Sequence, residues 1–139
     1  MTSVETGGVV IDTSAAVAIL TGEMTATGVI AALDHAERRV MSAATLVELG
    51  IVLEARFGPV GGAVAERFLR EGDIEVLPVD REVAVLAIAA WRRFGRGHHQ
   101  AALSYGDCFT YATAALLSVP VLCVGGDFPA TDLPVLPIA

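Results

Sequence analysis

Short apolar runs alternate with longer segments of helical periodicity along this chain. Four runs rich in Val, Ile and Leu predict strands that are buried on both faces. They lie at 9–11, 40–41, 74–79 and 119–124. A fifth run at 133–138 predicts an edge strand, which Pro134 and Pro137 weaken. Because strands that alternate with helices form a parallel sheet, the pattern predicts an α/β fold: a three-layer α/β/α sandwich with a parallel sheet of four to five strands.

Six helices are predicted between these runs. They cover 15–20, 23–39, 43–57, 60–71, 81–94 and 104–117. In the fifth, apolar residues recur at helical spacing from Val83 to Phe94, so we expect this stripe to be core. Trp91 belongs to it and is expected in the core rather than as a platform for stacking bases. Ser42 and Asp80 precede helices as N-caps.

Length and composition predict one globular domain. With 139 residues, of which 54% are hydrophobic, the chain can bury a sizeable core. We interpret 9–139 as a single domain and 1–8 as a flexible lead-in without the features of a signal peptide. No apolar run reaches the roughly 18 residues of a membrane span, so we expect a cytoplasmic protein with no membrane partner. Cys108 and Cys123 fit no metal or redox spacing and are expected to be reduced, buried thiols.

Two aspartates follow predicted strands, at the edge where open α/β sheets bind ligands. Asp12 comes directly after the first strand, and Asp127 follows the fourth through Gly125 and Gly126. Each also has an ordinary structural interpretation, since aspartate is common as an N-cap and in turns. Asp132 is an alternative to Asp127 as the outer acid of a site.

Two further acids lie in apolar helices. Glu48 lies in a segment that is apolar nearly all round, so we expect a buried carboxylate that is paired or bound to a metal ion. The alternative is that it pairs with an arginine or reaches a solvated rim. Asp107 is the fourth member of a Ser-x-x-Asp capping box that begins at Ser104. A capped first turn is also a rigid place for a ligand, so capping and ligand binding by Asp107 are compatible.

These four acids predict a divalent metal site if the first and fourth strands are neighbours. Their carboxylates then converge in one crevice, where they repel each other and bind protons more tightly unless a cation is present. Ligands that are all oxygen atoms select a hard ion, which is Mg²⁺ or, as a substitute, Mn²⁺.

The charge balance limits the partners of the chain. A net charge of −7 argues against a general nucleic-acid coat, although acids gathered around a cation contribute to that charge. All nine basic residues are arginine, so a mechanism that needs lysine is excluded. One basic cluster has two interpretations, a contact with RNA phosphate or the solvated end of a helix. Its members are Arg92, Arg93, Arg96, His98 and His99.

Four segments together resemble the PIN-domain ribonucleases, and more narrowly the VapC-type toxins of bacterial toxin–antitoxin pairs. They are Val-Ile-Asp-Thr-Ser-Ala near the start, Ser-Ala-Ala-Thr-Leu-Val-Glu-Leu, Leu-Ser-Tyr-Gly-Asp-Cys-Phe-Thr-Tyr-Ala, and a late Gly-Gly-Asp-Phe. The order and spacing of the four acids match. The similarity runs from about Val9 to the C-terminus.

The resemblance implies a Mg²⁺-dependent endoribonuclease toxin that hydrolyses tRNA, rRNA or mRNA and so inhibits translation. It implies a parallel sheet in which strands one and four are neighbours, with four carboxylates around the metal. These are Asp12, Glu48, Asp107 and Asp127. Asp12 and Asp107 are expected as inner ligands, and Thr13 or Ser14 as a hydrogen-bonding support. A cognate antitoxin and a homodimer are further expectations from the family.

Two rival functions would use the same features. A phosphoacceptor switch or phosphatase built around Asp12 also uses acids, a hydroxyl group and Mg²⁺, but such proteins commonly need a lysine, which this chain lacks. A non-catalytic binding module would keep the fold without turnover. A full set of acids without a metal ion would only destabilise that module.

Overall fold

Four parallel strands form the centre of the computed structural model, which describes residues 7–138. They are β1 (Gly8–Ile11), β2 (Arg38–Ser42), β3 (Ile74–Leu77) and β4 (Val121–Leu122). Their order in the sheet is β3-β2-β1-β4, and every pairing is parallel. The first and last strands therefore lie side by side, with Val10 opposite Val121, as the family resemblance implied.

Six helices cover the two faces of this sheet. They are α1 (Thr13–Leu20), α2 (Ala26–His35), α3 (Ala43–Phe57), α4 (Gly61–Glu71), α5 (Arg81–Phe94) and α6 (Tyr105–Leu117). Alternation along β1 separates the two cores, because Val9 and Ile11 face α1 to α4 while Val10 faces α5 and α6. Each fully buried aliphatic side chain contributes about 1.5–3 kcal/mol to this arrangement. The predicted three-layer sandwich is confirmed.

Several local predictions are confirmed by hydrogen bonds and burial. Ser42 caps α3 by accepting a bond from the amide of Ala44, and Asp80 caps α5. Cys108 and Cys123 are free and buried. β1 begins at Gly8, one residue before the predicted strand, and residues 1–6 of the expected lead-in lie outside the described residues. Within the described part of the chain, no helix is both long and apolar enough to cross a membrane.

The predicted helix at 23–39 is wrong at both ends. α2 is shorter, and Arg38 and Arg39 lie in β2 instead. Arg39 donates to the carbonyl oxygen of Gly72 at 2.7 Å, and Arg38 pairs with Glu75 on the neighbouring strand at 3.2 Å. The periodicity had placed both side chains on the solvated face of a helix. Instead, Arg38 is paired across the sheet, and Arg39 binds a carbonyl oxygen at the C-terminal end of α4.

The two C-terminal strands are shorter than predicted. The run at 119–124 keeps only two strand residues, and the run at 133–138 keeps one isolated bridge, between Val135 and Val121. The amide of Leu136 donates to the carbonyl of Val121 at 2.8 Å. The two prolines of this segment lack the N–H groups that a longer ladder would need.

α3 is not buried on all sides, which corrects the prediction made from its composition. Its buried face carries Thr45, Leu49 and Leu53, whereas the side chains of Val47 and Ile51 are 61% and 64% exposed. Packing against a sheet covers one face of a helix, whatever residues lie on the other.

The prediction that Trp91 belongs to the core is also wrong. The residue is 46% exposed, and its ring meets His98 edge to face at 4.2 Å between centroids. The buried face of α5 consists of other residues of the predicted stripe. These are Val83, Ala87, Ala90 and Phe94.

Candidate active site

Asp12 lies at the carboxyl end of β1 and is 4% exposed. Its Oδ1 accepts a bond from the hydroxyl of Thr110 at 2.9 Å, and its Oδ2 accepts from the hydroxyl and amide of Ser14 at 2.7 and 3.1 Å. The hydrogen bond from the amide of Ser14 makes Asp12 the N-cap of α1, so the predicted capping role of Asp12 is confirmed. Burial raises the pKa of Asp12, the hydrogen bonds from Ser14 lower it, and the charge of Asp107 raises it further.

Ser14 joins the ends of the two central strands. Its hydroxyl donates to Asp12 and accepts a bond from the amide of Val124 at 3.0 Å. The hydrogen bond that the resemblance implied for Ser14 is therefore present. It links the carboxyl end of β1 to the segment that leaves β4 and leads to Asp127.

Glu48 reaches the same edge of the sheet from α3. Its Oε1 accepts a bond from the hydroxyl of Thr13 at 2.5 Å, and no arginine of the described chain pairs with it. The carboxylate lies against Gly106, where an added Cβ would come within 2.7 Å of Oε2. Glu48 is half-buried rather than enclosed, and it touches the helix that carries Asp107.

Asp107 completes the predicted capping box at the start of α6. The amide of Ser104 donates to Oδ2 of Asp107 at 2.9 Å, and the amide of Asp107 donates to the hydroxyl of Ser104 at 3.2 Å. The cap uses one carboxylate oxygen and holds the side chain at the first turn. A carboxylate fixed in this way is suited to hold a ligand as well.

Asp127 lies beside Asp107. Partial burial, the charge of Asp107 and a hydrogen bond with the Asp107 carboxyl raise the pKa of Asp127, while Arg96 lowers it. The buried thiol of Cys123 is near both of these acids and Asp12: burial raises the pKa of Cys123 to about 12, and all three carboxylates contribute to the rise. The charges of three of the predicted acids therefore act on one buried thiol at the β1–β4 edge.

The alternative acid Asp132 lies in a different network. Its Oδ1 accepts a bond from the hydroxyl of Tyr111 at 2.5 Å, and its Oδ2 pairs with Arg93 at 3.3 Å. Since Asp127 is coupled to Asp107 and Asp132 to Tyr111 and Arg93, the geometry favours Asp127 as the fourth acid.

The members of the predicted basic cluster have different partners. Arg96 lies near Asp127, and Arg93 is paired with Asp132, whereas Arg92 is exposed on the last turn of α5. The two histidines contact α5 and their own loop rather than the acids. His98 packs on Trp91 at the end of α5, and Nδ1 of His99 accepts a bond from a backbone amide at 2.9 Å. Arg96 is therefore the member of the cluster that the structure places beside the acids.

Sequence reasoning missed three residues that shape the site: Gly106, Thr45 and Thr110. The two threonine hydroxyls lie 3.2 Å apart in the core, and because Thr110 gives its one proton to Asp12, Thr45 donates to Thr110. Both threonines lie one helical turn from a predicted acid, Glu48 or Asp107. That spacing was visible in the sequence, because residues three apart share a helix face.

The carboxylates fit a hydrated divalent cation better than a fully enclosed one. Among residues 7–138, no three histidine, cysteine, aspartate or glutamate side chains are arranged to hold a metal ion together. Mg²⁺ commonly keeps several water ligands and binds one or two carboxylates directly. The raised pKa values of Asp12 and Asp127 show that their negative charges are unfavourable in the metal-free site, and a bound cation would stabilise those charges.

Comparisons with known proteins agree with this geometry. The PIN domain matches residues 9–133. Ribonuclease VapC36 of Mycobacterium tuberculosis is 50% identical over 125 residues, which cover 89% of this chain and 90% of that protein. The crystal structure of Mycobacterium tuberculosis VapC20, a sarcin-ricin loop cleaving toxin, matches with a TM-score of 0.75 at 19% identity, covering 93% of this chain and 99% of that one. A toxin–antitoxin complex from Klebsiella pneumoniae matches with a TM-score of 0.68 at 15% identity, covering 89% and 92%. At these identities the two solved structures support the fold alone.

Proposed function

The chain belongs to the PIN-domain family and is an endoribonuclease toxin of the VapC type, and we propose from this premise that Asp12, Glu48, Asp107 and Asp127 form its active site. VapC nucleases use a divalent metal ion, and we propose Mg²⁺, with Mn²⁺ as a substitute. The observation that carries the proposal is that Asp12 and Glu48 both contact the first turns of the helix that carries Asp107. Asp12 accepts a hydrogen bond from Thr110, and Glu48 lies against Gly106.

Asp12 and Asp107 would hold the ion directly, because hydrogen bonds fix the orientation of both side chains. Glu48 and Asp127 would act through water, since both are less buried than Asp12: Glu48 is half-buried and Asp127 is exposed. A bound divalent cation supplies charge stabilisation for the phosphate and makes nearby water more acidic.

Side chains of the protein would orient the site, accept a proton and contact the phosphate. The hydroxyls of Ser14 and Thr110 donate to the two oxygens of Asp12 and fix the orientation of its carboxylate. The Asp12 side chain therefore needs little reorganisation when substrate binds. Asp127, whose pKa is raised, is suited to accept a proton from the attacking water. Arg96, whose charge acts on Asp127, would contact the phosphate.

We expect the purified chain to cleave RNA with Mg²⁺ and to lose this activity in EDTA, because removal of the cation leaves the acids to repel the phosphate. The assay incubates the protein with mixed cellular RNA, and sequencing of the cut ends identifies the target. A phosphomonoester offered in the same buffer tests the phosphatase alternative. Equal cleavage with Mg²⁺ and with EDTA would contradict the metal-dependent mechanism, and no cleavage of any RNA would favour a non-catalytic binding module.

Arg96→Glu should weaken RNA binding by about tenfold and lower the slope of log affinity against log salt by about 0.7, the value of one phosphate contact. The binding assay uses the catalytically inactive Asp12→Asn chain so that the RNA stays intact. Arg70→Glu makes the same charge change on the exposed surface of α4 and serves as the control. Equal effects of the two changes would mean that overall charge, rather than a contact at the site, governs binding.

We also propose an antitoxin and a second copy of the chain as partners. The relevant surface residues are apolar and exposed on α3 and α5. They are Val47, Ile51, Val85, Ile88 and Trp91. Exposed apolar groups of this number are commonly covered by partner proteins. A chain that stays monomeric in light scattering at micromolar concentration would contradict the homodimer.

A further inference from the structure

Two exposed glycines separate Asp127 from the anchored residue that precedes them. That residue is Val124, whose amide donates to the hydroxyl of Ser14 at 3.0 Å. Gly125 has a φ of +107°, and a Cβ added at Gly125 or Gly126 would meet no atom within 4 Å. Asp127 also makes no capping hydrogen bond to the 3-10 turn that follows it, Phe128–Ala130. Contacts on its C-terminal side therefore help to set the position of the Asp127 carboxylate.

That side is tied down by a group of three side chains, which we name the Tyr111 clamp: Tyr111, Asp132 and Arg93. The tyrosine hydroxyl and the arginine bind opposite oxygens of Asp132, at 2.5 and 3.3 Å. Tyr111 is buried, whereas the side chains of Arg93 and Asp132 are 61% and 50% exposed. Because exposed ion pairs contribute little, the buried hydroxyl is the stronger half of the clamp.

The Tyr111 clamp joins the two segments that carry the coupled acids. Tyr111 follows Asp107 by one turn of α6, and Asp132 follows Asp127 across the short 3-10 turn. Within that turn Phe128 is buried, and the hydroxyl of Thr131 donates to its carbonyl at 2.7 Å. Movement of Asp132 away from Tyr111 would therefore pull the Asp127 carboxylate away from that of Asp107.

We propose that Tyr111, acting through Asp132, positions Asp127 beside Asp107 for metal binding. The proposal rests on the proposed function, because it assigns Asp127 to the metal site. Ionised Asp127 and Asp107 repel each other in the metal-free protein, and the glycines before Asp127 would let it swing outward. The clamp opposes that movement, so the site is kept ready for a cation. Tyr111 is a positioning residue, since it touches neither metal nor substrate.

The test measures Mn²⁺ affinity directly, by electron paramagnetic resonance of free and bound Mn²⁺. Tyr111→Phe should weaken Mn²⁺ binding by about tenfold, the lower end of what loss of a supporting hydrogen bond costs a metal site. In an Asp127→Asn background the same change should have no further effect, because the residue that the clamp positions has already lost its charge. Tyr105→Phe removes the other tyrosine hydroxyl from the same helix, at a residue that is 82% exposed, and should leave the affinity unchanged.

Changes at Asp132 separate positioning from a general loss of stability. Asp132→Asn keeps an acceptor for Tyr111 and should stay within about threefold of wild type, whereas Asp132→Leu should match the tenfold loss of Tyr111→Phe. Equal weakening by Tyr111→Phe with and without Asp127, or no weakening in wild type, would overturn the proposal.

The outcomes also distinguish the clamp from the function on which it rests. A wild-type chain that binds no Mn²⁺ would overturn both proposals. Wild-type binding of Mn²⁺ without RNA cleavage would overturn the proposed reaction but keep the clamp under test. Thermal unfolding of each variant shows whether it folds, and a melting temperature close to that of wild type is expected for Tyr111→Phe.

Discussion

Asp12→Asn should lower the rate of RNA cleavage by about 10²- to 10³-fold at saturating Mg²⁺, the loss that follows removal of one preorganised electrostatic group from an active site. The substitution removes the negative charge but keeps the shape of the side chain. Thr110 can still donate to the remaining oxygen, while the amide nitrogen must face the two donors of Ser14. The site therefore loses both a metal ligand and part of the network that holds this ligand in place.

Single-turnover cleavage of a defined RNA measures this loss, and Asp80→Asn provides the matched control. Asp80 is also the N-cap of a helix and accepts a backbone amide hydrogen bond, at 3.0 Å, but it lies at the start of α5. Asparagine is as good an N-cap as aspartate, so this variant should cleave at a rate within twofold of wild type. Asp12→Asn cleaving as fast as Asp80→Asn would remove Asp12 from the mechanism.

The pH dependence of metal binding follows from the raised pKa of Asp12. Because this pKa lies above the ordinary 3.8, the folded protein holds the proton more tightly than the unfolded chain does. The resulting stability is fully present below pH 3.8 and is lost as the pH rises through the raised pKa. A cation must displace that proton, so Mn²⁺ affinity of the wild type should rise with pH over the same window, and Asp12→Asn should show a shallower rise.

The sequence predicted the parts of this protein that depend on local pattern. Residues 9–11 are apolar at every position, which indicated a strand buried on both faces, and Asp12 at its end was predicted both as an N-cap and as a site residue. The cap is now seen, and the catalytic role stays a prediction. The capping box at Ser104 and Asp107 was likewise legible, because its pattern lies within four residues.

Predictions that depended on distant partners were less successful. Periodicity placed Arg38 and Arg39 on a helix, but Arg38 pairs with Glu75 of β3 and Arg39 donates to the carbonyl of Gly72, two residues before β3. Composition alone could not show that α3 leaves Val47 and Ile51 exposed, since burial depends on which face the sheet covers. Gly106 was noticeable as a glycine in an apolar helix, but the reason that a glycine is needed there is the nearby carboxylate of Glu48, which lies on another helix.

Gly106→Ala should reduce RNA cleavage by about 10- to 100-fold while the protein stays folded, because misplacing a catalytic group by about 1 Å can cost that much. An alanine Cβ would lie 2.7 and 2.8 Å from the carboxylate oxygens of Glu48, which is closer than real contacts allow. The clash falls on the far end of a flexible side chain, so Glu48 can rotate away without disturbing the backbone. Activity is therefore lost through the position of Glu48, while α6 gains up to about 1 kcal/mol from the better helix former.

Two comparisons isolate this effect of Gly106→Ala. Gly50→Ala makes the same change in the middle of α3, where a Cβ would meet no atom within 4 Å, so it should raise the melting temperature without changing cleavage. In a Glu48→Asp background the shorter side chain relieves the clash, so Gly106→Ala should cost much less there. If Gly106→Ala cleaves RNA at the wild-type rate, the position of the Glu48 carboxylate is not important for catalysis. A loss of equal size in the Glu48→Asp background would mean that the added methyl group acts on α6 itself, through the turn that carries Asp107.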